Sequence, residues 1–368
     1  MNPATADSIY VRAPNWVGDF VMATAAFERL RAGFPNARIV VGARPHLLEL
    51  ASGSDWFDDA IPTKKAKGLR GLWDQVKELR REHFDLAVVL PNSPETGLIP
   101  FLARIPIRLG YRQGRPLLMN RGLRAPRNRG LFERHGPRRV PEPMPEYYAR
   151  LLDRLDIPPG REGTVLYVND AERAAVERWL TERDLGSGRR LLLLTAGAAY
   201  GASKLWPPEH FIEFARRVRE RHPDVEPVFL AGPAEVEMAE SLASAAGCTA
   251  ATRPVLSLGE LKALVERSVG MVTTDTGPRH LSVALGKPTV CMFGSSDPRY
   301  TNYSLGRSIL IRKDLECSPC QRKVCPLGHN DCMRLITVDE VLEARERMRL
   351  PERAWAGGAR RSGWQRQK

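Results

Sequence analysis

The sequence predicts an α/β protein of two doubly wound parallel-sheet domains facing a central cleft. Three observations carry that expectation. Short β-rich runs alternate with stretches of helically spaced apolar residues, and the alternation halts at Ile157-Pro158-Pro159-Gly160 before starting again. The length of 368 residues suits two domains rather than one. Alternation of this kind implies parallel strands with helices on both faces.

In the first half, residues 8–13 form a β-rich run, and residues 18–34 carry Val21, Ala25 and Leu30 at helical spacing. A strand is predicted over 37–43, a helix over 69–83 and a buried strand over 85–90. Residues 111–140 lack periodicity and hold nine arginines (112, 115, 121, 124, 127, 129, 134, 138 and 139) against one acidic residue, Glu133. This reads as a loop with a strong positive field. Helical spacing resumes over 146–155. Beyond the linker, strands are predicted over 190–195, 227–231, 270–274 and 288–293, and helices over 171–183, 210–221, 236–246, 258–267 and 280–285. A last helix covers 338–348. The expected units are therefore 1–160, 161–336, a C-terminal helix within 337–350 and a disordered basic tail over 351–368.

With 43% hydrophobic and 27% charged residues, whole-chain disorder is excluded. The formal net charge of +13 points to an anionic partner. The longest weakly polar run, residues 191–202, falls short of the roughly 20 residues a bilayer span needs. The first residues lack the order of a secretory signal, so a cytoplasmic location is expected. Cys248 and Cys291 stand alone in apolar surroundings and are expected to pack as small core residues.

Ligands of open parallel sheets bind beyond the carboxyl ends of the strands, so the turns after strands hold the candidate site residues. The first turn is Arg12-Ala13-Pro14-Asn15-Trp16-Val17-Gly18-Asp19. Gly18 there allows a close backbone approach, and Asp19 opens the helix as an N-cap or serves as a base. The second runs from Thr195 to Pro207, where small residues precede one cation, Lys204, suited to an anion without a metal. It lacks the spacing of a P-loop, and an ordinary Gly-rich connection is the alternative. The third is Thr273-Thr274-Asp275-Thr276-Gly277-Pro278-Arg279-His280. The hydroxyls of Thr274 and Thr276 and the N–H of Gly277 would address a phosphate, and Asp275 sugar hydroxyls, while His280 alone reads first as a structural residue. Cys317, Cys320, Cys325 and Cys332 follow a C-x2-C-x4-C-x6-C spacing. That pattern fits structural zinc, with free thiols or disulfides as alternatives.

Three of these segments together resemble the heptosyltransferases of glycosyltransferase family 9, which build the lipopolysaccharide inner core, and type II among them: 13–19, 197–207 and 274–280. The likeness extends to Leu90-Pro91-Asn92-Ser93 and Gly110-Tyr111-Arg112, and so covers roughly residues 8–345. It implies a GT-B architecture of two Rossmann-like domains, the first binding acceptor and the second ADP-heptose. It further implies inverting, metal-independent transfer of L-glycero-D-manno-heptose from ADP-heptose to heptosyl-Kdo2-lipid A, with type I or another family 9 acceptor or sugar as the alternative. Asp19 matches the family's base. By the same resemblance Lys204, Thr195, Glu235, Asp275, Thr276, Gly277 and His280 would meet the donor. Asn15, Gly18, Lys64, Lys67, Arg112 and Arg115 would meet the acceptor. Pro278-Arg279 is a less usual pair in the third motif, and Arg279 would alter donor or acceptor detail. No cofactor is expected for catalysis. The charge then suits Kdo carboxylates, lipid A phosphates and the anionic cytoplasmic face of the inner membrane, where a peripheral monomer is expected. Nucleic acid is excluded as partner because no aromatic residue is interleaved with the arginines between Gly114 and Leu131.

Overall fold

The computed structural model describes residues 5–64, 68–125, 140–186, 188–197 and 201–348. Its first half runs β1 (Ser8–Arg12), α1 (Val17–Met22), α2 (Thr24–Gly33), β2 (Arg38–Ala43), α3 (Pro45–Leu48), β3 (Asp59–Pro62), α4 (Gly68–Arg81), β4 (Leu86–Val89), α5 (Pro94–Leu102), β5 (Ile107–Gly110) and α6 (Met144–Leu152). The second runs α7 (Asp170–Thr181), β6 (Arg190–Thr195), α8 (Pro208–Arg221), β7 (Val225–Leu230), α9 (Val236–Ala246), β8 (Thr249–Ala251), α10 (Leu258–Arg267), β9 (Gly270–Thr274), α11 (Gly277–Ala284), β10 (Thr289–Phe293), β11 (Ser308–Arg312), α12 (Asp331–Arg334) and α13 (Val338–Arg347).

Both sheets are parallel throughout, with strand orders β3-β2-β1-β4-β5 and β11-β10-β9-β6-β7-β8. Each starts at a central strand, winds one way and then crosses back, so its order reverses between β1 and β4 and between β6 and β9. A crevice opens at such a reversal because successive connections leave for opposite faces. The central strands read as continuous apolar runs because both faces are covered: β4 is Leu-Ala-Val-Val and β6 holds four successive leucines, all buried.

Several short elements escape the periodicity reading. β3, β5, β8 and β11 are edge or next-to-edge strands of three to five residues, too short to show alternation. The helix expected over 18–34 is two helices, with Ala23 ending α1 and serving as the N-cap position of α2. Residues 111–125 are irregular, as expected, yet tied back to the sheet by a parallel bridge from Tyr111 to Leu123. Tyr111 stacks on Tyr147 at 3.8 Å and donates its hydroxyl to the Tyr147 carbonyl, which anchors the start of this segment on α6. Arg127, Arg129, Arg134, Arg138, Arg139, Lys67 and the tail over 351–368 lie outside the described residues.

The domains are joined by more than the linker. Arg29 of α2 donates to the carbonyls of Ala149, Ile157 and Pro158, holding the linker on the first domain. Lys262 of α10, fully buried, donates to the carbonyl and hydroxyl of Ser52 and to the Tyr167 carbonyl, and pairs with Glu172 at 3.2 Å. Buried charge of this kind is tolerated only with such partners. The first domain's core accordingly continues into Leu281, Val283, Ala284 and Tyr303 of the second.

Candidate active site

The sequence motifs fall at the two reversals. The turn after β1 carries the first, the turn after β6 the second and the turn after β9 the third. α1 and α11, which open after the first and third, pack on each other across the domain boundary. A Cβ on Gly18 would stand 2.7 Å from His280 Cδ2, and one on Gly277 would stand 3.1 Å from Val17. Two helix N-termini, each the positive end of a helix dipole, therefore meet at the cleft.

In the first turn, Arg12 is buried and donates to the carbonyls of Ala13 and Gly42 and, at 2.8 Å, to Asn15 Oδ1. Asn15 is thus aimed by Arg12, the first residue of the same turn, to which sequence reasoning gave no role. Asp19 is the third residue of α1 rather than its N-cap; Trp16 holds that position, more than half exposed and without a side-chain cap. The carboxylate stays half-buried in the first turn, where the helix dipole favours its charge.

The second and third turns meet through charge. Lys204 Nζ donates to Asp275 Oδ2 at 2.8 Å and to its carbonyl at 2.7 Å, and Arg279 Nη1 lies 3.1 Å from Asp275 Oδ1. Burial raises the Asp275 pKa, but the charges of Lys204 and Arg279 outweigh it and hold the carboxyl well below the usual range. Asp275, expected to serve sugar hydroxyls, has one oxygen on Lys204 and the other on Arg279. Two cations against one carboxylate leave this cluster with one net positive charge. Arg279 also donates to the Thr301 carbonyl and lies over Phe293 at 5.0 Å, so the less usual residue of the motif is a buried part of the site. The same guanidinium lies beside Cys291, which packs in the core as expected, its thiol pushed up to about 12 by burial.

His280 Nδ1 shares a hydrogen bond of 2.7 Å with the hydroxyl of buried Tyr303. Burial and the Arg279 charge push the imidazole down to about 3 against the opposing pull of Asp275, so the ring is neutral at physiological pH. Tyr303 sits in an irregular stretch and carries no sequence signal of its own. Thr195 donates its hydroxyl to Thr273, which donates to the Thr274 carbonyl and lies 3.4 Å from the Thr276 hydroxyl. This chain stitches β6 to β9 beneath the cleft. Thr274 is fully buried and its hydroxyl has no hydrogen-bond partner, so the expectation that it faces a phosphate does not hold. Thr276 is the N-cap position of α11 and Gly277 its first residue. Glu235, at the start of α9, accepts from the Gly232 N–H and lies against Gly197 at the end of β6, where a Cβ would meet its carboxylate at 2.1 Å.

The basic residues expected at the acceptor divide. Lys64 is exposed just beyond β3, and Arg112 is half-buried with Nη2 donating to Pro116 O. Arg115 is buried and donates to the Tyr111 and Ser93 carbonyls and the Thr96 hydroxyl, so it braces the loop rather than facing solution. Asn92, from the fourth resembling segment, donates to the Tyr147 hydroxyl.

Two parallel sheets with their ligand-binding ends turned to one cleft, and a cationic cluster beside a helix N-terminus there, form a GT-B architecture. The family model for glycosyltransferase family 9 (heptosyltransferase) matches residues 72–330, and the chain belongs to that family. Lipopolysaccharide heptosyltransferase 2 of Escherichia coli (strain K12) is 28% identical over 364 residues, covering 94% of this chain and 99% of that protein. The solved E. coli ADP-heptose LPS heptosyltransferase II matches with a TM-score of 0.73 at 26% identity over 93% of this chain and 98% of that one. A family 9 glycosyltransferase from Veillonella parvula shares the fold, with a TM-score of 0.75 at 21% identity over 93% and 97%.

Proposed function

We propose that the chain transfers L-glycero-D-manno-heptose from ADP-heptose to the heptosyl-Kdo2-lipid A inner core, the type II reaction, with inversion at the anomeric carbon. The observation that carries this reading is the convergence of Lys204, Asp275, Arg279 and the α11 N-terminus at one end of the cleft, facing the α1 turn that holds Asp19. Asp19 takes the proton of the acceptor hydroxyl as that oxygen bonds to the anomeric carbon and the bond to the ADP phosphate oxygen breaks on the opposite face. The departing ADP gains negative charge. The net positive cluster and the N–H groups of Gly277 and Arg279 are oriented before the reaction and lower the cost of that charge. These residues supply the stabilisation without a metal ion.

Glu235, against Gly197 at the second reversal, suits the ribose hydroxyls of the donor's adenosine, and Thr195 and Thr276 set the floor beneath the diphosphate. Asn15, Gly18, Lys64 and Arg112 border the acceptor half, facing Kdo carboxylates and lipid A phosphates. The enzyme works as a monomer held peripherally on the cytoplasmic face of the inner membrane. Among the described residues no helix is long and apolar enough to cross it. Near-complete coverage of a type 2 relative favours type II over type I.

The test is transfer from ADP-heptose to heptosyl-Kdo2-lipid A with EDTA present, followed by product mass and anomeric configuration. A gain of one heptose with inverted configuration is expected. Extension of Kdo2-lipid A alone would make the enzyme type I, and reaction with neither acceptor would overturn the assignment of donor and acceptor.

A further inference from the structure

The four clustered cysteines are absent from the reaction scheme, yet their segment grips the loop that carries Lys204. Cys317, Cys320, Cys325 and Cys332 are free thiols lining one cavity of about 10 Å3, which also touches Ser203 and Ser295. That is space for roughly one water-sized sphere, and a bare cation bound by sulfur at about 2.3 Å requires no more. Among the described residues no three His, Cys, Asp or Glu side chains stand as a closed ligand set, so an ion would have to draw these sulfurs inward.

The same segment holds residues 201–205 from two sides. Ser203 N donates to the Lys323 carbonyl at 3.1 Å, Ser203 Oγ to the Arg322 carbonyl, and Asn330 Nδ2 to the Leu205 carbonyl at 3.3 Å. Gly201, at φ 153°, passes so close that a Cβ would stand 2.3 Å from the Lys323 carbonyl oxygen. Ser203 Oγ and Ser295 Oγ are 2.9 Å apart, and Gln321 N donates to the Ser295 carbonyl at 2.7 Å. Lys204 lies in the middle of this grip, with its Nζ on Asp275.

We propose that the four thiols bind one zinc-type divalent ion in tetrahedral geometry, and that the ion locks the 317–332 segment as a clamp holding Lys204 at the donor end of the cleft. Each thiol gives up its proton to solvent on binding, so affinity falls as pH is lowered. The ion is a structural one: four sulfurs complete a tetrahedral shell and leave no position for substrate. The second half of the proposal rests on the donor reading above, whereas the metal site does not.

The experiment uses the full chain, prepared without chelator. Elemental analysis is expected to find one equivalent of zinc or a like metal. The cluster thiols should resist a thiol reagent until a strong chelator strips the ion. Cobalt(II) added to stripped protein should give the intense sulfur-to-metal absorption of a tetrathiolate site. Cys325→Ser should lower metal content and weaken ADP binding, read by calorimetry, by roughly tenfold, the lower end of what outer supports of a site contribute. Ser203→Ala keeps every thiol and should retain the metal while weakening ADP binding in the same direction. Protein that carries no metal, takes up no cobalt and shows freely reactive or disulfide-paired thiols would overturn the site. Metal bound with ADP affinity equal in loaded and stripped protein would overturn the clamp. If the loaded protein binds no ADP at all, the donor reading fails while the metal stoichiometry still decides the site.

Discussion

Asp275 and His280 illustrate how burial settles what a side chain can do. Asp275 keeps its charge because two cations face it, and His280 stays neutral because it is buried beside one of them. Both make stability depend on pH in the same sense. Between its ordinary pKa of 6.5 and its buried value of about 3, His280 is protonated in the unfolded chain and not in the folded one. Stability therefore falls as pH falls through that window, by at most about 1.4 kcal/mol per pH unit from this residue. Asp275 adds stability above the ordinary carboxylate range that is lost as pH drops toward its depressed value. Urea midpoints at pH 7 and pH 5 should show the loss, and His280→Gln should flatten it; an unchanged wild-type midpoint would contradict a buried neutral ring. At Asp19 the expected effect is on turnover. Asp19→Asn should lower kcat by roughly 10²–10⁴-fold, the usual share of a general base, with ADP affinity unchanged, and wild-type turnover would remove Asp19 from the role. Lys204 and Asp275 were each legible as motif residues, but not their pairing. They lie 71 positions apart, and only the adjacency of β6 and β9 joins them.

Among the elements, α1 and α11 make the contact on which the cleft depends. Gly18 is required there by proximity rather than by backbone angle, because His280 occupies the place of its Cβ and the Tyr303 hydrogen bond keeps the ring from yielding. Gly18→Ala should cost about 1–3 kcal/mol, as overpacking does, and reduce transfer. Thermal unfolding checks the first and the transfer assay the second; an unchanged melting temperature would mean that the two helices stand apart in solution. The sequence pattern indicated most helices and central strands because buried strands and amphipathic helices leave a period in the chain. α8 illustrates this, with Phe211, Phe214, Ala215 and Val218 buried along one face. The edge strands and the break at Ala23 left no such mark. A three-residue strand such as β8 is selected by the neighbour it pairs with, not by its own residues.

At the scale of the whole molecule, the proposed attachment to an anionic membrane surface has a direct test. The net charge is +13, Lys64 is exposed, and exposed Leu69 and Trp73 of α4 share a face with Arg80, its guanidinium 5.7 Å from the Trp73 ring. Each basic residue near an anionic surface contributes about 1 kcal/mol, declining over a Debye length of roughly 10 Å at 0.1 M salt. Sedimentation with anionic liposomes is expected, weakening as salt rises, with little binding to neutral liposomes. Binding that ignores salt would remove the electrostatic part of this account. The second domain is held on the first by Lys262, which reaches Ser52 and Tyr167 and pairs with Glu172, while Arg29 fixes the linker on the first domain.

The amino-acid sequence by itself determined the two-domain α/β class, the positions of the central strands and the three turns that carry the chemistry. Those features are local, written in hydrophobic period, in glycine and proline placement and in the residues of each turn. Only the tertiary structure decided that those turns sit at the strand-order reversals and that Asp275 is shared by Lys204 and Arg279. It also decided that Arg115 braces a loop and that the cysteine segment holds the loop of Lys204. Each of these depends on which strands become neighbours. Strand order is set by the burial of whole faces against one another, a property no single segment of the chain carries.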